Sequence, residues 1–283
     1  MFTRQKILLT LLRFADRPVS RMELTKWSFV LKNESCFRGG DSFYDFLPYH
    51  YGPFSFSLYQ EMDKLVAQGY VAQGDDSHWL PGRIALPALE KNLSQEVRVV
   101  VQRLKNRHID NLLDEIYTKF PEYTVNSKYR RLESRKVAVP AVYTSGYEGM
   151  SIDGFLNRLI TTGIKHLIDV RRNPIARRYG FHRSTLKRLC ESLDIAYTHL
   201  PELGIPSEMR QSLDTQDDYE SLFALYRKST LVDEIRAVER VSELVRESPS
   251  VLVCMEAQPK CCHRSHLAFD VSKQTKLKVD HLI

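Results

Sequence analysis

Residues 251–268 read VLVCMEAQPKCCHRSHLA, and the change of character along them decides how the C-terminal half folds. Val251 to Cys254 is a short apolar run, the length of a buried strand rather than a helix. Pro259 then turns the chain, and a helix is predicted over Ser265–Ser272. The same alternation recurs upstream. Strands are predicted at Val137–Thr144, His166–Val170 and Ile195–Leu200, and helices at Ile152–Thr161, Thr185–Leu193 and, as one or two long segments, residues 217–247. Lys276–Leu282 is expected to close the sheet. Strands alternating with helices imply an α/β domain: a Rossmann-like, mainly parallel sheet covered on both faces, here over residues 137–283. The apolar helix positions, among them Phe155, Leu156, Leu159, Leu222, Leu225, Val232 and Ile235, read as core.

The N-terminal part has a different rhythm. Arg4–Ala15 carries Ile7, Leu8, Leu11 and Leu12 at helical spacing, and Pro18 ends that helix. Ser20 is placed to cap a second helix over Arg21–Val30, and Ser55 or Ser57 a third, which Gly69 closes. Tyr70–Leu80, with the turn signal Gly74-Asp75-Asp76, reads as a two-stranded hairpin. Three helices and a hairpin in that order predict a winged-helix-like domain over residues 1–87, a scaffold used for binding both DNA and proteins. Residues 88–120 repeat Leu93, Val97, Val101, Leu104, Leu112 and Ile116 at three or four, and 121–136 is polar and basic. A basic helical connector is therefore expected over 88–136.

Charge and cysteine usage narrow the function classes. Residues 1–90 are neutral in net charge, 91–140 carry +5 and 141–283 carry +1, but Arg158–Arg188 holds nine basic residues against the single acid Asp169. Such a zone suits an anionic partner, nucleic acid or a phosphorylated small molecule; a solvated basic face is the alternative. No apolar run approaches a membrane span, and the N-terminus lacks the apolar core and cleavage site of a signal peptide. A cytoplasmic location with no membrane partner is expected. Five cysteines, three of them crowded at 254–262, do not form a secreted disulfide framework. Neither a Walker loop nor a dinucleotide glycine fingerprint is present.

In a parallel sheet, ligands bind at the rim formed by loops leaving the C-terminal strand ends. Here those loops are TSGYEG (144–149), DVRRNPIARRYGFHR (169–183), HLPELG (199–204) and CMEAQPKCCHR (254–264). Asp169, Glu256 and His263 are the candidates for proton transfer, with Cys254 or Cys262 as an activated thiol at a helix N-terminus. Tyr147, Glu148, Arg171, Arg172, His199 and Arg264 are candidates for binding substrate or an anion, the arginines by paired hydrogen bonds. The bland alternatives are a buried, packing Cys254 and an Arg264 held in a salt bridge with Glu256. Arg177, Arg178, Tyr179, Phe181 and Arg183 interleave aromatic rings with guanidinium groups, as a nucleic-acid contact needs; a mobile lid would show the same mixture. No metal or other cofactor is expected. The spacing C-x6-C-C-H-x2-H across Cys254, Cys261, Cys262, His263 and His266 leaves zinc as the alternative, although it lacks the paired C-x2-C of structural zinc sites.

Two resemblances add to this reading. FYDFLPYHYGPFS and LVAQGY, within Phe43–Tyr70, resemble Panacea-type (SocA-like) domains of bacterial toxin–antitoxin and phage-associated proteins. TSGYEGMSIDGFLNRL, LIDVRRNP with RYGF, AYTHLPELG and VLVCMEAQPKCCHRSHLA are together similar to the DUF488 family of bacterial proteins across residues 141–283. That second resemblance implies a compact α/β fold and singles out Tyr147, Glu148, Asp169, Arg171, His199, Cys254, Glu256, Cys262, His263 and Arg264. It implies no reaction. The chain departs from the family at Leu203-Gly204-Ile205, where leucine-glycine-glycine is usual.

The expected function is an enzyme acting on nucleic acid or a nucleotide-like substrate, with hydrolytic or base-processing chemistry, and a winged-helix module that recognises nucleic acid or a protein partner, or pairs two copies. The alternatives are a non-enzymatic DNA-binding regulator whose α/β domain holds a small anion, and an antitoxin-like interaction protein.

Overall fold

The structure, a computed structural model, describes residues 1–36, 38–40, 43–75, 77–85, 88–209 and 215–283. The chain divides into two compact units, Met1–Ser134 and Arg135–Ile283. No helix among the described residues is long and apolar enough to cross a membrane.

The first unit runs α1 (Thr3–Ala15), β1 (Val19–Ser20), α2 (Arg21–Glu34), β2 (Leu47–Tyr49), β3 (Gly52–Phe54), α3 (Phe56–Ala67), β4 (Val71–Asp75), β5 (His78–Pro81), α4 (Lys91–Leu104) and α5 (Ile109–Lys119). Local chemistry sets several boundaries. Ser20 caps α2 by accepting from Glu23 N, while the Glu23 carboxylate accepts from Ser20 N. Of the two serines considered for α3, Ser55 is the cap. β1, β5 and β4 form an antiparallel sheet in that order, and β2–β3 a separate hairpin. Asp76, expected in the β4–β5 turn, lies outside the described residues, as do Leu86 and Pro87 at the expected boundary with the connector.

The segment read as a connector contributes α4 and α5 to this unit's core. Leu93, Val97, Val101, Leu104, Leu112 and Ile116 pack in one cluster with Leu8, Leu12, Leu24, Trp27 and Phe29. An amphipathic helix must cover its apolar stripe, and here α4 lies against α1 and α2.

The second unit carries β6 (Val142–Gly146), α6 (Ile152–Thr162), β7 (His166–Asp169), α7 (Arg183–Glu191), β8 (Ala196–His199), α8 (Gln216–Lys228), α9 (Thr230–Asp233), α10 (Ile235–Glu247), β9 (Ser250–Cys254), α11 (His263–Thr275) and β10 (Val279–Leu282). The sheet order is β10-β6-β9-β7-β8, and every pairing is parallel. The fold is thus mixed α/β with a five-stranded parallel sheet. Val142, Ile168 and Leu252 pack against Phe223, Val238, Val241 and Leu267 from the helices, while Leu167, Val251 and Val253, which alternate to the other face, are also buried. The first strand is shorter than expected. Val137 and Val139 are exposed, and Pro140, which has no N–H for the ladder, separates them from β6. Among the positions read as core, Leu225, Val232 and Ile235 are exposed.

Lys26 is buried inside the first unit, where its ammonium donates to the Pro53 carbonyl at 2.8 Å. Burial pulls its pKa down to about 7. Its unfolded value is near 10.4, so between those pH values the unfolded chain binds more protons and stability rises with pH. Both tryptophans, Trp27 and Trp79, are buried in this unit and report on its unfolding. The denaturation midpoint followed by tryptophan fluorescence is expected to rise from pH 7 to pH 10, by a stability on the order of 4 kcal/mol. Lys26→Met should flatten that rise and stabilise the unit at pH 7.

Candidate functional site

The parallel register brings the strand ends to one rim. Asp169 lies opposite both Val253 and His199, and Gly146 opposite Cys254. The loops that leave this rim are tied together by backbone as well as side chains. Tyr147 N and Glu148 N both donate to the Met255 carbonyl, and the Glu148 carboxylate accepts from Ala257 N at 3.0 Å. A Cβ on Gly146 would sit 1.9 Å from the Glu256 carbonyl oxygen, so only glycine allows the β6 and β9 loops to approach this closely.

The expected rim residues separate into two groups. In the first, Asp169 is fully buried and its carboxylate is saturated. Oδ1 accepts from Arg171 Nε at 2.8 Å and from Arg171 N at 3.2 Å; Oδ2 accepts from Arg171 Nη2 at 2.6 Å and from the Tyr197 hydroxyl at 2.7 Å. Arg171 Nη1 donates onward to the Tyr147 hydroxyl at 2.8 Å and the Phe181 carbonyl at 2.9 Å. Phe181 is fully buried, stacked on Tyr147 at 4.1 Å between centroids.

This arrangement corrects several expectations. Asp169 is not a free acid or base, Arg171 is not a free anion clamp, and Tyr147 and Phe181 are not open stacking platforms. The reason is shared: a charge that leaves water must be paired and hydrogen-bonded, and these residues satisfy one another. Burial alone would lower the Arg171 pKa, but Asp169 beside it raises it well above the usual range. Burial, and then the Asp169 charge, raises Tyr197 and keeps it a neutral donor. His199 is held by a bond from Nε2 to the Arg171 carbonyl at 2.9 Å.

Arg264 is likewise internal, 1% exposed. Its Nη1 and Nη2 donate to the backbone carbonyls of Glu256 and Ala257, so it pins the loop after β9 instead of gripping an anion or the Glu256 carboxylate. Among the described residues it forms no ion pair, and its Nε has no partner.

The second group is a cluster of reactive side chains at the β9–α11 junction. The Cys254 and Cys262 thiols each donate to Glu256 Oε2 at 3.0 Å. His263 Nδ1 faces the same two sulfurs at 3.8 and 4.0 Å, and its Nε2 donates to the Val170 carbonyl at 3.2 Å. Cys262 is the residue that starts α11 and His263 its first turn; the Tyr226 ring stands edge-on to His263 at 5.4 Å. Cys254, Cys262 and His263 are buried, whereas Glu256 is partly exposed. Burial, with Cys254 alongside, pushes the Cys262 thiol well up. Burial also works to raise Glu256, but the two S–H donors outweigh it and hold the carboxyl below its ordinary value. For His263 burial is outweighed in the other direction by Cys262 and Glu256, which raise it.

The basic stretch after β7 is what remains open. Arg172, Arg177, Arg178, Arg183 and Arg188 are exposed, and none forms an ion pair among the described residues; Tyr179 is half-buried. A groove that sequence reasoning missed, of about 650 Å³, lies between α8 and the start of α11, lined by Glu220, Phe223, Arg227, Lys260, Ser265 and His266. No signal in the sequence pairs α8 with α11, since the two are far apart in the chain and meet only through tertiary packing, Phe223 against His266.

Asp169→Asn removes one charge of a buried pair and leaves the guanidinium stranded. Chemical denaturation followed by circular dichroism is expected to show a loss of about 3–5 kcal/mol. Arg171→Lys, which cannot fork across both carboxylate oxygens, should also destabilise. Gly146→Ala should destabilise as well, because the added methyl meets backbone that cannot move aside.

Residues 151–269 match the family model described as "Domain of unknown function DUF488". No curated protein and no solved structure matches the chain.

Proposed function

Taking the DUF488 domain at residues 151–269 as the premise, we propose that the second unit is an enzyme that acts on nucleic acid or a nucleotide-like substrate, with its chemistry at Cys254, Glu256, Cys262 and His263. The observation that carries this reading is the row of exposed arginines, Arg172, Arg177, Arg178, Arg183 and Arg188, without carboxylate partners among the described residues. Exposed guanidinium groups without counter-charges attract a polyanion through counterion release. The row leaves the same strand end whose Val170 carbonyl holds His263, so a phosphate backbone gripped there would lie beside the reactive cluster.

Glu256 is the member of that cluster that reaches solvent, and it serves as the proton acceptor or donor. The thiols and imidazole hold or polarise the reacting group. In this reading residues 1–87 form a winged-helix recognition module for nucleic acid or a protein partner, 88–136 extend it, and 137–283 do the chemistry.

Fluorescence anisotropy with labelled single-stranded DNA and RNA, measured across a salt series, tests the binding half. The combined variant Arg177→Gln, Arg178→Gln, Arg183→Gln is expected to weaken binding to all sequences alike, and to reduce the salt slope by about 0.7 for each single-strand phosphate that is no longer neutralised. Unchanged affinity and slope would sink the proposal. For the chemical half, Glu256→Gln should keep the fold and the affinity but lose turnover. Tight binding without turnover in the unaltered chain would make it a DNA-binding regulator instead.

A further inference from the structure

We infer that Cys254, Cys262 and His263 form a zinc site whose fourth position lies against the Glu256 carboxylate. The ligand atoms of the three residues lie within 4.8 Å of one another, and all three residues are buried. Zinc bound to sulfur at about 2.3 Å and to nitrogen at about 2.1 Å in tetrahedral geometry separates those ligands by about 3.6 Å. The observed Sγ to Nδ1 distances are 3.8 and 4.0 Å. Two thiolates and an imidazole are also the donor set that borderline-soft zinc prefers to the hard cations.

Two further observations point to a ligand. His263 Nε2 bonds to the Val170 carbonyl, an acceptor only, so that nitrogen carries the hydrogen and Nδ1 is the one turned to the sulfurs. That is the outer bond that orients a metal-binding histidine. Both thiols already donate to Glu256, so Nδ1 has two distant sulfurs and no oxygen or nitrogen partner among the described residues. The N-terminus of α11 also favours negative charge on Cys262.

The structure also resolves the run of potential ligands in the sequence. Cys261 is partly exposed and stands apart from the group, and the His266 ring lies against Phe223 at 4.6 Å. Of two adjacent cysteines only Cys262 points inward. Binding replaces the proton on each thiol, so each zinc taken up releases two protons, and the Zn²⁺ charge is matched by two thiolates with the imidazole neutral. Glu256 stays outside the ligand set, facing the open position.

The inference deepens the proposed chemistry of this cluster, but metal uptake is read without any nucleic acid, so either can fail alone. The full-length chain, stripped with chelator under reducing conditions and titrated with Zn²⁺, is expected to retain one zinc per chain after gel filtration, measured by mass spectrometry of the metal. Cys254→Ser and Cys262→Ser should each fall to background, whereas Cys261→Ser and Glu256→Gln should keep their zinc. Buried cysteine variants can misfold, so Co²⁺ loading of the unaltered chain provides a second reading: thiolate-to-cobalt charge transfer with strong tetrahedral bands. No zinc in the unaltered chain, a cobalt spectrum without thiolate bands, or a Cys254–Cys262 disulfide that persists in reductant would overturn the site. Loss of zinc in Glu256→Gln would overturn the assignment of three protein ligands.

Discussion

The rim of the second unit depends on one buried ion pair, Asp169 with Arg171. A carboxylate at the end of a central strand cannot be left without partners, and Arg171, two residues on, folds back to meet it with two side-chain bonds and its own N–H. Once it is there, its remaining donors reach Tyr147 after β6 and Phe181 in the loop after β7, while Tyr197 of β8 bonds to the same carboxylate. Three strand ends are thereby fixed relative to one another by a single pair. The stack of Phe181 on Tyr147 then seals it from water.

That pair also explains how charge is divided across the domain. Nine basic residues between Arg158 and Arg188 look like one electropositive zone in the sequence. In the structure Arg171 belongs to the interior, and Arg264, from the far end of the chain, is internal too, holding carbonyls of the β9 loop. The arginines left at the surface begin one residue later, at Arg172. Two adjacent residues of the same type thus do opposite things: one holds the scaffold in place and the next meets solvent.

The reactive cluster is built on the other side of the same junction. β9 delivers Cys254 and α11 starts at Cys262-His263, so a loop of seven residues must return to its origin. Arg264 makes that return by holding the Glu256 and Ala257 carbonyls, and Gly146 gives the loop room to lie against β6. Carboxylate, thiols and imidazole meet because the backbone around them has no other place to go. The cluster is therefore anchored at the end of β9, a strand buried along its whole length beside β6, and side chains on such an element are held more rigidly than on a free loop.

Much of this was legible in the residues themselves. Alternating strand and helix lengths imply a mainly parallel α/β sheet, Ser20 and either Ser55 or Ser57 offer helix starts, and the rule that loops at the carboxyl ends of strands share a rim groups Tyr147, Asp169, Cys254 and His263. Strand and helix periods are local, so a single chain records them directly. What the sequence could not say is which polar residues face one another. Whether Asp169 is a free acid or half of a saturated pair, whether Phe181 is open or stacked, and whether Cys261 or Cys262 turns inward are all decided by contacts between segments far apart in the chain. The same holds for α4 and α5, whose apolar stripes are plain in the sequence but whose partners are not. Burial and pairing belong to the packed whole, since a side chain's desolvation is set by every element that closes over it, and only tertiary structure could assign them.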